Sequence, residues 1–251
     1  MPSRTFCVVG AGMAGGRAAR SLRDRGFEGR IVLLGEEAEP PYERPPLSKA
    51  FLTGGLAADK LYLQPAATYA ELGIEWRPSV AVTELDPGRS RLHLSDGETL
   101  DFDRMLLATG SRPRTLALPG AGLPGVLSYR TLSDAESLRE ALQHRPQVVV
   151  VGGGFLGSEL AAAARQQGCP VTLVEAGPAL LAPLGPLVGA FCTGLHRDAG
   201  VELLVGAAPV GFLGGSQVEQ VELEGGRLLP CDLVLVCVGA EPNVELAERA
   251  G

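Results

Sequence analysis

The sequence predicts an α/β chain built twice on one plan, a parallel strand–helix–strand unit repeated in a second domain. Three observations carry this. Glycine fingerprints stand 142 positions apart, Gly10, Gly12 and Gly15 in GAGMAG and Gly152, Gly154 and Gly157 in GGGFLG. Each follows a short apolar run, 6–9 or 148–151, and opens an Ala-rich stretch that reads as helix. A second apolar run then follows, 31–34 or 171–174, with an acid just beyond it, Glu36 or Glu175. In such a unit the first glycine permits a tight turn. The second lets backbone approach a pyrophosphate, and the third lets the helix pack close to the strand. The helix N-terminus offers free N–H groups and partial positive charge, and the acid can hold a ribose diol. Two complete fingerprints therefore imply two dinucleotides and point to redox chemistry.

The remaining elements follow in chain order. Gly26 and Gly168 each lie 11 residues beyond the third glycine and suit left-handed helix caps. Residues 39–49 hold four prolines. Prolines fix φ and remove donors, so a stiff, irregular segment is expected, with a short helix beginning near Ser48. It leaves the carboxyl edge of the sheet, where open α/β folds bind ligands. Residues 74–107 alternate apolar and polar around Pro-Gly and Asp-Gly turns, with runs at 75–85, 91–94 and 105–108, which reads as an antiparallel meander inserted as a crossover. Residues 112–128 read as a connector, and 132–142 as a helix capped by Ser133. The second unit, 147–175, is followed by a helix at 187–199 and strands at 201–204, 218–223, 228–229 and 233–238. Two strands end in similar glycine turns, Ala108-Thr109-Gly110 and the turn beginning at Gly239, which suits chain crossing beside bound cofactor. Trp76 is expected in the core.

Composition narrows the classes. With 251 residues, 45% hydrophobic, the chain can hold one large domain or two modest ones. A net charge of −7 argues against a general nucleic-acid or anionic-membrane partner. No apolar run approaches the ~20 residues of a membrane span. The N-terminus enters a strand almost at once, leaving no room for a signal peptide, so a cytoplasmic protein is expected. The five cysteines include no CxxC pair and sit mostly in apolar runs, so reduced, buried thiols are expected. His93, His144 and His196 show no metal-ligand spacing, and no metal is expected. Lys49 and Lys60 are the only lysines beside 20 arginines. A lysine kept in that background can be needed for its compact ammonium.

At Pro41-Tyr-Glu-Arg-Pro-Pro-Leu-Ser-Lys49 the chain resembles the FAD-dependent, NADH-oxidising ferredoxin reductases of oxygenase and cytochrome P450 systems, within the pyridine nucleotide-disulfide oxidoreductase superfamily. The resemblance extends through residues 108–113, 129–132, 152–159 and 236–243. It implies that Gly10, Gly12, Ala14 and Gly15 lie over the FAD pyrophosphate, with Glu36 on the adenosine ribose. It also implies Arg44 and Lys49 on the flavin side, Val82 against adenine, and FAD contacts at Ala108, Thr109, Gly110, Arg130 and Gly239. Gly152, Gly154, Phe155, Leu156 and Gly157 are implied for NADH, with Glu175 on its ribose. Glu159 is implied near the nicotinamide, paired with Lys49, and these two are the candidate catalytic residues. A carboxylate beside an ammonium holds it charged and oriented. Glu175, with no arginine after it, favours NADH over NADPH.

The resemblance further implies two Rossmann-like domains, each with an antiparallel meander, the NADH domain (113–238) inserted in the FAD domain (1–112 with 239–251). Family members continue past residue 251 into a C-terminal domain, so a truncated chain with an incomplete FAD domain is expected. The implied activity passes hydride from NADH to FAD, then single electrons to an iron–sulfur ferredoxin. The resemblance allows a homodimer. Two alternatives stand beside it: a related flavin NADH oxidase of the apoptosis-inducing-factor type, and a nucleotide-binding fragment without turnover.

Overall fold

The structure, a computed structural model, describes residues 4–251. In chain order it runs β1 (Thr5–Val9), α1 (Met13–Asp24), β2 (Arg30–Leu34), α2 (Ala66–Glu71), β3 (Ile74–Arg77), β4 (Val82–Asp86), β5 (Arg91–Leu94), β6 (Thr99–Asp101) and β7 (Arg104–Leu107). It continues with β8 (Ser111–Pro113), β9 (Val126–Leu127), α3 (Leu132–Gln143), β10 (Val148–Val151), α4 (Phe155–Gln166), β11 (Val171–Glu175), α5 (Pro186–Asp198) and β12 (Glu202–Val205). The last elements are β13 (Pro209–Leu213), β14 (Gln220–Leu223), β15 (Leu228–Pro230), β16 (Leu233–Val236), β17 (Ala240–Pro242) and α6 (Glu245–Ala250). The chain divides into two compact units. The first comprises the chain up to Arg44 with Ala57–Arg112 and Pro242–Gly251; the second comprises Pro45–Leu56 and Pro113–Glu241.

In the first unit, strands β3-β2-β1-β7 form a parallel sheet. Side chains alternate across its faces. Cys7, Val9, Val32 and Leu34 pack on one face with Leu92, Leu94 and Leu100 of the antiparallel β4-β5-β6 meander and with Leu246 of α6. Val8, Ile31 and Leu33 pack on the other with Ala19 of α1, Tyr69 of α2 and Ile74, and Trp76 sits against this cluster. The guanidinium of Arg23 ties α1 to α2 by donating to the carbonyls of Phe27, Gly29, Leu72 and Gly73.

The second unit repeats the plan with a five-stranded parallel sheet, β12-β11-β10-β16-β9. Its central strand is four consecutive buried valines, the β-branched run that a strand covered on both faces requires. Val149, Val151, Val174, Val234 and Val236 pack with Phe212, Val221, Leu223 and Leu229 of the antiparallel β13-β14-β15 meander. Helix α4 packs on β10 and β11, and α5 on β12.

The structure corrects several sequence expectations. The run 75–85 is two strands, β3 in the parallel sheet and β4 in the meander. They are split where Pro78 lacks an N–H and Ser79 takes φ 55°. Residues 105–107 belong to β7 of the parallel sheet rather than to the meander, and Ala108 follows it. Helix α3 is capped by Thr131, not Ser133: the Thr131 hydroxyl accepts from the Asp134 N–H, and the Asp134 carboxylate accepts in return from the Thr131 N–H, a complete capping box. The connector hides β9, which extends the sheet beside β16. Strand β13 lies where Pro209 and Gly211 mask its pattern, and its ladder shifts register there. Gly26 and Gly168 do take left-handed conformations, φ 79° and 86°. Among the described residues no helix is long and apolar enough to cross a membrane.

Candidate nucleotide sites and the Lys49–Glu159 pair

Both fingerprints end a parallel strand and begin a helix, and their three glycines meet different surroundings. Gly10 has φ 108°, and a Cβ there would lie 2.2 Å from the Ala108 carbonyl oxygen. Gly152 has φ 106°, and its Cβ would lie 2.4 Å from the Cys237 carbonyl oxygen. A Cβ on Gly15 or Gly157 would sit 1.8 Å from the carbonyl of Gly10 or Gly152, inside the close helix–strand contact. Gly12 and Gly154 differ: a Cβ there meets nothing within 4 Å. These two residues are the N-caps of α1 and α4. Neither helix has a side-chain cap or a first-turn acid. The first four N–H groups of a helix lack intrahelical partners, and Thr131 and Asp134 serve those of α3. At α1 and α4 the same groups face an open cradle that only glycine leaves bare. That arrangement fits a pyrophosphate.

The two acids are used differently. Glu36 stands exposed just beyond β2. Glu175, at the end of β11, accepts from the Gly153 N–H through Oε2 and from the Gly177 N–H through Oε1, both at 2.6 Å. It therefore braces the fingerprint loop, while each oxygen keeps a further lone pair for a ribose hydroxyl. The neighbouring Glu37, which the sequence reading passed over, pairs with Arg44 and accepts from the Tyr42 hydroxyl, and Arg44 stacks 4.9 Å from the Tyr42 ring. Arg44 is thus anchored at the carboxyl end of β2 within the first unit. In the same unit, the Thr109 hydroxyl donates to the Asn243 carbonyl at 2.7 Å, and the Asn243 side chain donates to the Thr109 carbonyl at 2.8 Å. This reciprocal pair fastens the Ala108-Thr109-Gly110 turn. Val82 is half-buried in β4 and packs against the apolar cluster under the meander. Ala14 is exposed on α1.

The second unit gathers Gly152, Gly154, Phe155, Leu156, Gly157, Glu159, Glu175, Arg130 and Gly239 together with the segment that carries Lys49. Phe155 is exposed at the start of α4, and Leu156 is half-buried. The Arg130 N–H donates to the Asp134 carboxylate at 2.8 Å, so its backbone is fixed by the cap of α3. Gly239 accepts from the Arg114 N–H at 2.9 Å. The proline-rich stretch divides at Pro45. Its C-terminal half forms a wide helical turn over Leu47–Phe51 that is interrupted at Lys49, where φ and ψ are −122° and −115°. The Tyr129 hydroxyl holds this turn by donating to the Leu47 carbonyl at 2.7 Å.

Lys49 Nζ lies 2.7 Å from Glu159 Oε1 and donates to the Pro45 carbonyl at 3.2 Å. The ammonium is half-exposed, at 52%, so it is held in place and still reachable. Ser48, buried beside it, donates to Glu159 Oε2. Sequence reading found the pair and missed the serine, although it stands next to the lysine. Elsewhere, burial pushes the thiols of Cys7 and Cys231 up to about 11 and that of Cys237 up to about 12, so these cysteines stay neutral at ordinary pH.

Comparison with known proteins places this geometry. The chain belongs to the pyridine nucleotide-disulphide oxidoreductase family, whose pattern matches residues 4–251. It is 42% identical over 245 residues to the ferredoxin–NAD(+) reductase subunit of the benzene 1,2-dioxygenase system of Pseudomonas putida, covering 97% of this chain and 60% of that protein. It is 40% identical to putidaredoxin reductase of Pseudomonas putida, again covering 97% of this chain and 60% of the relative. Among solved structures, a ferredoxin reductase from Rhodopseudomonas palustris superposes with a TM-score of 0.95 at 39% identity, covering 98% of this chain and 61% of that one. A covalent putidaredoxin reductase–putidaredoxin complex gives 0.96 at 40% identity, covering 100% and 62%. The chain spans about 60% of the length of the curated relatives it matches.

Proposed function

We propose that this chain is the nucleotide-binding part of an NADH-dependent ferredoxin reductase, holding FAD at the first fingerprint and NADH at the second. The observation that carries the reading is the pair of bare helix N-termini at Gly12 and Gly154, each beside an acid at the end of the next strand. The N–H groups of α1 and α4 would bind the two pyrophosphates, and Glu36 and Glu175 would accept from the riboses. Glu175 sets the nucleotide choice, because its carboxylate repels a 2′-phosphate. FAD, when bound, supplies acceptance of a hydride from NADH and its release as single electrons. The chain supplies position and charge. Lys49 would present a cation to negative charge gathering on the bound flavin, and Glu159 keeps that ammonium aimed.

The electron acceptor fits an iron–sulfur ferredoxin, since the relatives at 40–42% identity are named as ferredoxin reductases and one solved relative is captured with putidaredoxin. Anaerobic NADH added to the FAD-loaded protein is expected to bleach the flavin band, and an oxidised ferredoxin to restore it. NADH binding with the flavin band unchanged would contradict the reading. Glu175→Arg is expected to move the preference from NADH toward NADPH by at least about tenfold in kcat/KM, the scale of one charged contact made or lost.

A further inference from the structure

Ser48 holds one oxygen of the carboxylate whose other oxygen holds Lys49. Its hydroxyl donates to Glu159 Oε2 at 2.5 Å, and Lys49 Nζ lies 2.7 Å from Oε1. A serine in a helical turn can satisfy its hydroxyl on neighbouring backbone. This one instead reaches a residue 111 positions away in the chain, and it does so from a site only 5% exposed. Successive residues of a regular helix point about 100° apart, so neighbours do not converge on one group. The break at Lys49, with ψ −115°, turns the lysine out of the helical path and lets residues 48 and 49 grip the same carboxylate. Glu159 has three rotatable side-chain bonds, and its terminal torsion is soft. A donor fixed by burial on one oxygen settles which oxygen faces the ammonium.

We propose that Ser48 is a positioning residue for the Lys49–Glu159 pair. Its hydroxyl locks the rotation of the Glu159 carboxylate, so that Oε1 holds the Lys49 ammonium in one place. The catalytic meaning of that lock rests on the hydride-transfer reading above; the lock itself is a property of the protein without nucleotides.

The composition of the chain makes the test direct. Its only lysines are Lys49 and Lys60, so isotopically labelled lysine gives two side-chain ammonium signals. Lys60, on an exposed turn 3.3 Å from Asp59, is the internal reference. In the 251-residue protein, Ser48→Ala is expected to speed exchange of the Lys49 ammonium protons about two- to fivefold, the range that a partly exposed ion pair commands, and to leave Lys60 unchanged. Ser48→Thr, which keeps the hydroxyl, is expected to restore slow exchange. In a Glu159→Ala background, Ser48→Ala is expected to add nothing. Should the alanine variant fail to fold, Ser48→Cys, of similar size but a much weaker donor, takes its place with the same expectation. Unchanged Lys49 exchange in the folded variant would overturn the proposal and leave the ion pair standing, as would an effect that persists without Glu159. A Lys49 signal already matching Lys60 in the unaltered protein would overturn the pair as well, and the reading of the site with it.

Discussion

A single methyl group separates the glycines that build the fold from those that serve a ligand. Gly15→Ala forces a Cβ to 1.8 Å from the Gly10 carbonyl, and overpacking of that kind costs about 1–3 kcal/mol or more. Gly12→Ala meets open space at φ −77°, so its stability is expected to stay within about 1 kcal/mol of the parent while FAD retention is lost. Thermal melts alongside flavin content after gel filtration check both expectations. A second residue sets a pH dependence. His196 lies in α5, 9% exposed, and burial holds its imidazole pKa below the ordinary 6.5. The unfolded chain therefore binds that proton more readily than the folded one. Its contribution is complete above pH ~6.5 and is lost as pH falls below it. Unfolding midpoints at a series of pH values are expected to show this loss, and His196→Gln to remove the part that begins above the carboxylate range. The fingerprints were readable because turn, phosphate approach and helix packing each need glycine at one spacing, whereas Lys49 and Glu159 were readable through the family resemblance of the segments that carry them. Ser48, Glu37 and Asn243 were not, since a hydroxyl, a second acid or an amide becomes informative only through the partner the fold brings to it.

At the level of elements, the proline-rich stretch shows how far patterns reach. Its prolines correctly announced an irregular segment, and a helical turn does start at its end. The resemblance paired Lys49 with Glu159, but which unit the segment joins also depends on contacts only the fold reveals: Ser48 with Glu159, Leu47 with Tyr129, and Phe51 under Arg139 at 5.5 Å. The sequence boundary kept it with the first domain, whereas its contacts fall in the second unit. Tyr129→Phe strips the Leu47 carbonyl of a buried donor, a loss of about 1–3 kcal/mol. Amide exchange through residues 47–53 is expected to quicken in that variant; unchanged protection would show that the hydroxyl does not hold the turn. Missed strands share one cause. Strand β9 is two residues long and β13 contains Pro209 and Gly211, so neither displays an alternating run, and each is made by pairing with a neighbour, β16 or β14.

Across the whole molecule the duplication is the governing feature. Strands β1, β2, β3 and β7 repeat as β10, β11, β12 and β16, in the same parallel order and with a meander packed on one face of each sheet. The copies differ at one edge. Strand β16 is flanked by β9, whereas β7 is an edge strand among the described residues, with Leu106 43% exposed. Duplication also gives the sharpest test, because each unit carries its own cradle and its own blocking position. Calorimetric titration of FAD and of NADH into the 251-residue protein, into Gly12→Ala and into Gly154→Ala measures both cradles at once. Gly12→Ala is expected to lose FAD and keep NADH, and Gly154→Ala to lose NADH and keep FAD. Two folded variants that still bind both nucleotides as tightly as the parent would contradict the assignment of the bare helix N-termini as the nucleotide sites.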